Sequence, residues 1–317
     1  MKHLLAPLGL ILLGVALFYL FPYNLAFATR MVIMVIFVLS LDLVLGYAGI
    51  PTLGQGAMYG AGAYAAGLFA IHVWADPFAG LVAGAVAGAV IALISGFVLM
   101  RAAGLTLIML TIAVASICHE IANRTRDITG GADGLRGIRM DPILGLYEFD
   151  FIGIAGYWYA FGVAAVVFAF LFMLVRSPFG LGLRGIHESP ERMAAIGAPV
   201  YWRRLMAYVL GGAIAGIAGA LTAQISQLVS LETFAFALSA EAVIMLILGG
   251  MGRLYGAVLG TAVFMWVHHT AAANDPFNWL FVIGALVLVV VFFLPSGLIS
   301  MPTSLSRLLK GGRNGRS

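Results

Sequence analysis

Residues 79–100, "AGLVAGAVAGAVIALISGFVLM", contain no ionisable side chain. An α-helix needs about 20 apolar residues to cross the hydrocarbon core of a bilayer. The rest of the chain has the same character, because 62% of its 317 residues are hydrophobic and only 9% are charged. A soluble domain carries about 25% charged residues and could not bury this much apolar surface. The sequence therefore predicts an all-α, polytopic integral membrane protein with one transmembrane domain over residues 1–317.

Apolar runs of bilayer length recur along the chain, and turn-forming residues separate them. We predict about ten transmembrane helices, at roughly residues 4–21, 30–48, 54–74, 79–100, 104–120, 154–175, 205–227, 234–250, 254–273 and 278–298. The run 54–74 is rich in Gly and Ala, and a partly re-entrant segment is the alternative there. The first run precedes "AFA" at 26–28, which resembles a signal-peptidase site. We favour a retained helix because the run is long for a signal sequence.

The distribution of Lys and Arg predicts the orientation of these helices. With the N-terminus inside and ten crossings, twelve of the 17 basic residues lie on the inner side and five on the outer side. Positive residues are enriched in cytoplasmic loops, so both termini are expected in the cytoplasm. Residues 121–153 then form an external loop and residues 176–204 a cytoplasmic one. The basic tail, 302–317, is cytoplasmic and either contacts anionic lipid headgroups or is disordered.

The cytoplasmic stretch "GLRGIHESPERMAAIGAPVYWRRL", residues 182–205, is polar and punctuated by prolines. Ser189 is a good N-cap, and Pro190 suits the first position of a helix. Glu191 stabilises the positive end of the helix dipole, and Gly197 is a suitable C-terminal cap. The pattern predicts a helix of about two turns outside the membrane. This helix is either incidental to a solvated loop or part of a structured functional loop.

Four stretches resemble the branched-chain amino acid permeases of LivM type, a family of ABC importer permeases, and they follow one another along the chain in the order found in that family. The stretch "HESPERMAAIGAPVYWRRLMAYVLGGAIAGIAGAL", 187–221, resembles their coupling loop and the helix after it. The others are "GYAGIPTLGQGAMYGAGAYAAGL" at 46–68, "TGGADGLRGI" at 129–138 and "FAFALSAEAVIMLILGGMGRLYGAVLGTAVF" at 234–264. The resemblance implies a type II-like importer permease in a bacterial inner membrane.

The resemblance also implies a role for the short cytoplasmic helix and a set of partners. In this family the helix docks into a cleft on a cytoplasmic ATPase. The implied partners are a second homologous permease, two ATPase subunits, an extracytoplasmic solute-binding protein and the lipid bilayer, without nucleic acid. The residues that would couple to the ATPase are Glu188, Ser189, Pro190, Glu191, Arg192, Ala195 and Gly197.

We expect no enzymatic activity, cofactor or metal in this chain. It lacks the G-x-x-x-x-G-K-[ST] pattern of a phosphate-binding loop, so ATP and Mg²⁺ are expected in the partner ATPases. A single cysteine, Cys118, excludes a CxxC metal site. His268 and His269 are adjacent and point in different directions, which argues against a metal site there.

Polar residues within apolar spans are candidates for the translocation path, because burying them in a membrane is costly. Asp42, Gln55 and Glu241 are such residues. The alternatives are a buried hydrogen bond or pairing across helices for the two acids, and interhelical hydrogen bonding for Gln55. Small residues at every fourth position predict close helix packing instead. They are Gly252, Gly256, Gly260, Gly212 and Gly216.

We therefore predict the permease subunit of an ATP-driven importer for branched-chain or related amino acids. One alternative is an ion- or proton-coupled secondary transporter that uses Asp42 and Glu241. Another is the same importer class with urea, amides or aromatic acids as solute. A membrane enzyme is disfavoured because the sequence has no HExxH-like motif.

Overall fold

The computed structural model describes residues 24–142 and 153–274, together with residues 14, 281, 283–285, 288, 297 and 298. Within these residues the regular structure is helical, and the only extended pairing is an isolated bridge between Leu135 and Val229. The predicted all-α fold is confirmed for this part of the chain. The predicted spans 4–21 and 278–298 lie largely outside the described residues, and the basic tail at 302–317 lies entirely outside them.

Five helices of the described chain are long and apolar enough to cross a bilayer. They are α1 (Leu25–Leu41, continued by a π-helical segment at Asp42–Tyr47), α3 (Pro77–Leu99), α4 (Gly104–Arg124), α6 (Ile154–Arg176) and α9 (Val200–Ser226). The other helices are α2 (Gln55–His72), α5 (Arg126–Thr129), α7 (Pro178–Glu188), α8 (Pro190–Ala195), α10 (Phe236–Gly249) and α11 (Leu254–Asn274). The five long helices lie at about the predicted positions of five spans.

Two of the long helices begin earlier than the apolar runs that predicted them. The helix α1 begins at Leu25 rather than at residue 30, and α9 begins at Val200 rather than at residue 205. In each case arginines in the first turns of the helix, Arg30 in α1 and Arg203 and Arg204 in α9, mark where the uncharged apolar run begins. A helix does not have to end where its hydrophobic stretch ends, because long basic side chains reach from the helix into polar surroundings.

The helix α1 lies at the centre of the bundle, and α3 and α4 lie at its periphery. In the most apolar window of α1, 89% of the residues are buried, against 22% in α3 and in α4. Because α3 and α4 are apolar and exposed, their outer faces suit contact with lipid or with another membrane subunit.

The Gly-rich helix α2 packs between α3 and α9. It is not among the helices apolar enough to qualify as a span by composition. Most of its residues are buried against protein. Surrounding helices therefore supply the apolar environment, and α2 does not need the hydropathy of a lipid-facing helix.

Glycines let α3 and α9 approach each other at backbone distance. A side chain at Gly216 would collide with the carbonyl group of Gly84, and one at Gly212 would collide with Ala92 and approach Gly88. The predicted packing role of Gly212 and Gly216 therefore has a direct structural basis. Contact of this kind is typical of helices that associate inside membranes.

The helices α10 and α11 differ from the two independent spans predicted at 234–250 and 254–273. They meet at an angle of 114° across the break at residues 250–253, as in a broken span or a re-entrant pair. The helix α10 has 14 residues, about 21 Å, which is shorter than the roughly 30 Å hydrocarbon core. Gly250 and Gly252 have positive φ angles of 106° and 73°, which make the sharp turn possible. The ten-helix count is therefore not confirmed.

The three glycines predicted to line one face of a helix have different positions. Gly256 and Gly260 lie in α11 and pack against the backbone of α10 at Gly249. Gly252 precedes α11 and belongs to the break. Regular spacing cannot reveal this difference, because a turn glycine and a packing glycine look identical in the sequence.

Candidate functional site

Two consecutive helices, α7 and α8, connect α6 to α9, where the sequence predicted one. Ser189 caps α8 by accepting a hydrogen bond from the Arg192 backbone N–H at 3.4 Å, and Pro190 is the first helical residue. Gly197 has a φ of 83°. At this end of α8, Gly197 N–H donates to Ala194 and Ala198 N–H donates to Met193, which is the Schellman arrangement. The predicted start and end of α8 are confirmed.

The helix α7 went unpredicted because "PFGLGLRGIHE" contains three glycines, which weaken a helix. A signal for it was nevertheless present. Ser177-Pro178 repeats the Ser189-Pro190 pair, and Ser177 likewise accepts a hydrogen bond, from Gly180 N–H at 3.4 Å. Two identical Ser-Pro starts twelve residues apart predict two short helices in succession.

No residue of α8 is buried within the described chain. The helix is held by its two caps and by a contact between Met193 and the backbone of α7 at Gly185. Its exposed surface carries both acidic and basic side chains, Glu191 and Arg192. The exposed predicted coupling residues are Glu188, Glu191, Arg192, Ala195 and Gly197.

The last turn of α7 is bonded to the π-helical segment of α1. His187 Nδ1 lies 3.0 Å from the Gly46 carbonyl oxygen, and donates to it because a carbonyl can only accept. The Arg184 guanidinium carbon lies 5.1 Å from the centre of the Tyr47 ring, within cation–π range. Gly49, with a φ of 65°, lets the chain pass close to His187. These contacts join the α7–α8 pair to the central helix of the bundle.

The same π-helical segment is bonded to the break between α10 and α11. Asp42 is buried, and its Oδ1 accepts a hydrogen bond from the Gly252 N–H at 2.8 Å. A side chain at Gly46 would collide with both partners of this bond. Segments of π-helix are frequent at functional positions. Gly46, which also binds His187, therefore lies at a junction of three elements.

The structure does not bring the three predicted path residues together. Asp42 lies at the junction, where its contact is the Gly252 backbone across helices. Gln55 is buried and its Nε2 donates to Ser40 Oγ at 3.2 Å, which joins α2 to α1. Both contacts correspond to the interhelical alternatives. Glu241 alone lines a large cleft.

This cleft lies between α1, α2, α9, α10 and the segment before α10, and has a volume of about 670 Å³. It is near the first turns of α1, at the opposite end of that helix from Gly46 and the α7–α8 pair. Its charged lining residues are Arg30, Glu232 and Glu241. The sequence did not single out Arg30, because it stands at the edge of an apolar run, where it was counted only for orientation.

The loop after α4 is an ordered structure rather than a plain turn. Gly130, Gly131 and Gly134 have positive φ angles, and Thr129 Oγ1 donates to the Thr125 carbonyl at 2.8 Å. The Leu135 N–H donates to the Val229 carbonyl at 2.8 Å. This bridge fixes the loop beside Ser230, which lines the cleft. The "TGGADGLRG" loop thus supports one rim of the cleft.

Within the described residues, no group of three or more His, Cys, Asp or Glu side chains could hold a metal ion.

Comparisons with known proteins give the family. The family model described as "Branched-chain amino acid transport system / permease component" matches residues 23–291. The chain is 28% identical to the high-affinity branched-chain amino acid transport system permease protein LivM of Escherichia coli, over 91% of this chain and 72% of that protein.

Two relatives from Methanocaldococcus jannaschii are also similar. The probable branched-chain amino acid transport permease protein LivM is 29% identical over 62% of this chain and 59% of that protein. The probable permease protein LivH is 26% identical over 70% of this chain and 72% of that protein. No solved structure matches the chain significantly. The chain therefore belongs to the family of branched-chain amino acid ABC transporter permeases, membrane components that are not themselves enzymes.

Proposed function

We propose that this chain is one of two transmembrane subunits of an ATP-driven importer for branched-chain or related amino acids. The second subunit would be a homologous permease, since the chain is similar to proteins named LivM and to one named LivH. Two ATPase subunits would bind ATP and Mg²⁺ on the cytoplasmic side. A solute-binding protein would deliver the amino acid from the other side.

The observation that carries this proposal is the exposed, doubly capped helix α8 and its connection to the bundle. A helix with no buried residue is available to a partner. The hydrogen bond from His187 to Gly46, and that from Gly252 to Asp42, form a continuous route from α7 to the break before α11. A push on a capped helix can travel along such a route, because rigid elements and hydrogen-bond networks carry coupling between distant sites.

The orientation follows from the distribution of basic residues. With the ten crossings predicted from the sequence, the α7–α8 pair belongs to the side that holds twelve of the 17 Lys and Arg residues, so we place it in the cytoplasm of a bacterial inner membrane, with both termini. The cleft near Arg30 lies at the other end of α1 and would open outward, towards the binding protein. The loop at 129–138, on the rim of that cleft, is then placed to contact the binding protein.

Reconstitution tests the proposal. Proteoliposomes that hold both permeases and the ATPases should accumulate leucine when ATP and the binding protein are present, and this chain alone should not. Glu191→Ala and Gly197→Ala should lower uptake at least fivefold while the assembly still inserts. Glu120→Ala is the control, since Glu120 is an exposed acid at the end of α4 whose ion pair with Arg124 is a surface contact of small energy.

Uphill transport by this chain alone, abolished by an uncoupler, would favour a secondary transporter and contradict the proposal. Full uptake by both α8 variants would contradict the coupling role of this helix.

A further inference from the structure

Arg30 and Glu241 carry opposite charges into the same cleft. Arg30 lies in the second turn of α1 and Glu241 in the second turn of α10. Neither side chain has a hydrogen bond or an ion pair with a described residue, and they do not form an ion pair with each other.

An acid within an apolar span, such as Glu241, is costly, and such acids are retained where they line a path or bind a ligand. Arg30 is exposed and Glu241 is half-buried, so both can be reached from the cleft. By contrast, Glu120 and Arg124 form an ion pair at 2.6 Å, so each of these two charges has a partner. In the cleft the two charges remain separate, and a molecule with both a positive and a negative group would satisfy both.

The rest of the lining suits a small molecule that also has an apolar part. The volume of about 670 Å³ lies within the range of roughly 300–1,000 Å³ that is typical of ligand pockets. Neutral polar groups at one wall include Tyr59 and Thr222, whose hydroxyl oxygens are 2.5 Å apart. The apolar lining residues are Ile33, Met34, Ile225 and Leu238.

We propose that this cleft binds the transported solute as a zwitterion, with the carboxylate at Arg30 and the ammonium group at Glu241. Arg30 offers the planar fork of donors that fits a carboxylate, and Glu241 offers acceptors for an ammonium group. Ile33, Met34 and Leu238 would contact a branched aliphatic side chain. This inference rests on the proposed function, since it names the site at which the permease would bind the amino acid.

The position of Glu241 also connects the cleft to the coupling segment. The helix α10 carries Glu241 and ends at Gly249, just before the break that Asp42 holds through Gly252. A movement of this break would shift α10 and with it one wall of the cleft. The geometry therefore allows the site to lose one of its two charged contacts when the α7–α8 pair moves.

Uptake by the complete assembly is the first test. In proteoliposomes supplied with ATP and saturating leucine-loaded binding protein, Arg30→Gln and Glu241→Gln should each lower the uptake rate at least tenfold. The matched controls are Arg101→Gln and Glu120→Gln, which remove the same groups from exposed positions outside the cleft. The controls should keep at least half of the wild-type rate. Variants that co-purify with the ATPases and still carry leucine at more than half the wild-type rate would overturn the proposal.

A labelling experiment separates this site from the transport function as a whole. Ala237 is exposed and lines the cleft, so Ala237→Cys in a Cys118→Ser background reports on occupancy. Leucine should slow maleimide labelling of this cysteine at least fivefold in the assembly without binding protein. The amine that lacks the carboxylate, 3-methylbutan-1-amine, and the acid that lacks the ammonium group, 4-methyl-2-oxopentanoate, should protect at least tenfold more weakly. Adding Arg30→Gln should remove protection by leucine.

Equal protection by all three compounds, or none by leucine, would overturn the zwitterion site even if wild-type uptake is ATP-driven. If instead leucine protects as expected but wild-type uptake does not depend on ATP, the proposed function fails and the binding site remains.

Discussion

The helices α8 and α9 follow each other in the chain and differ in how they are stabilised. The helix α9 extends over 27 residues and packs against α2 and α3 through glycines at backbone distance. The helix α8 has six residues, none of them buried, and depends on its caps. The comparison separates a rigid bundle, in which almost no substitution fits, from a small element whose surface is available to another protein. A junction at Gly46 and Asp42 joins the two regions.

The largest effect should come from overpacking the bundle. Gly216→Leu would push a side chain into the backbone of α3 at Gly84 and should lower the free energy of unfolding by about 3 kcal/mol. Gly162→Ala in α6 is the control, because nothing lies within 4 Å of a side chain at that position. Thermal unfolding in detergent should show a lower Tm for the first variant and an unchanged or higher Tm for the second. Equal melting temperatures would show that the α3–α9 contact is looser than described.

The next effect should appear at the junction. Asp42→Ala removes the acceptor of the Gly252 N–H and should cost about 2 kcal/mol, since it leaves a partly buried donor unsatisfied. Asp42→Asn keeps an acceptor oxygen. We expect Asp42→Asn to retain ATP-driven uptake and Asp42→Ala to lose most of it while ATP hydrolysis continues. Loss of uptake in Asp42→Asn as well would indicate that the carboxylate charge itself is needed, as in a proton-coupled mechanism.

A smaller effect is expected at the end of α8. Gly197→Ala places a side chain at a φ of 83° and should cost about 1 kcal/mol, the strain of a left-handed residue. Gly104→Ala, at a φ of 59° and likewise without close neighbours, imposes a similar strain at the start of α4. The ratio of solute transported to ATP hydrolysed should fall only for Gly197→Ala. A similar fall for Gly104→Ala would mean that strain alone, and not the position of α8, lowers coupling.

The smallest effect on stability is expected at the contact between α7 and α1. His187→Ala removes one hydrogen bond to Gly46, which contributes about 0.5–1 kcal/mol. The control is His72→Ala, which removes an exposed bond to the Leu68 carbonyl at the end of α2. We expect His187→Ala to keep ATP hydrolysis and to transport at about one third of the wild-type rate or less. An unchanged rate would remove this bond from the proposed route.

The sequence predicted the elements whose signals are local. The uncharged run at 79–100 predicted α3, and the cap residues Ser189, Pro190 and Gly197 predicted both ends of α8. It did not predict the bend at 250–253, because an apolar run gives no information on the angle between two helices. The glycines at 250 and 252, between the two apolar runs, show that a turn is possible but not its angle.

The sequence did not predict the contacts between residues that are far apart in the chain. Asp42 binds Gly252 and His187 binds Gly46, and no spacing rule connects these positions. Arg30 was missed for a related reason, since its importance comes from a cleft formed by four helices. Glu241 was found because a lone acid in an apolar run is a local signal.

Crosslinking from α8 to an ATPase subunit tests the coupling role of this segment most directly. Ala195 is exposed on α8 and is therefore accessible to a reagent. Ala195→Cys in a Cys118→Ser background places a single thiol on this helix. In membranes that contain the whole assembly, a short bifunctional thiol-to-amine reagent should give an adduct of this chain with the ATPase, and ATP should change its yield. Absence of this adduct, together with labelling of the same cysteine in intact cells by a membrane-impermeant maleimide, would place α8 on the outer face and contradict its role.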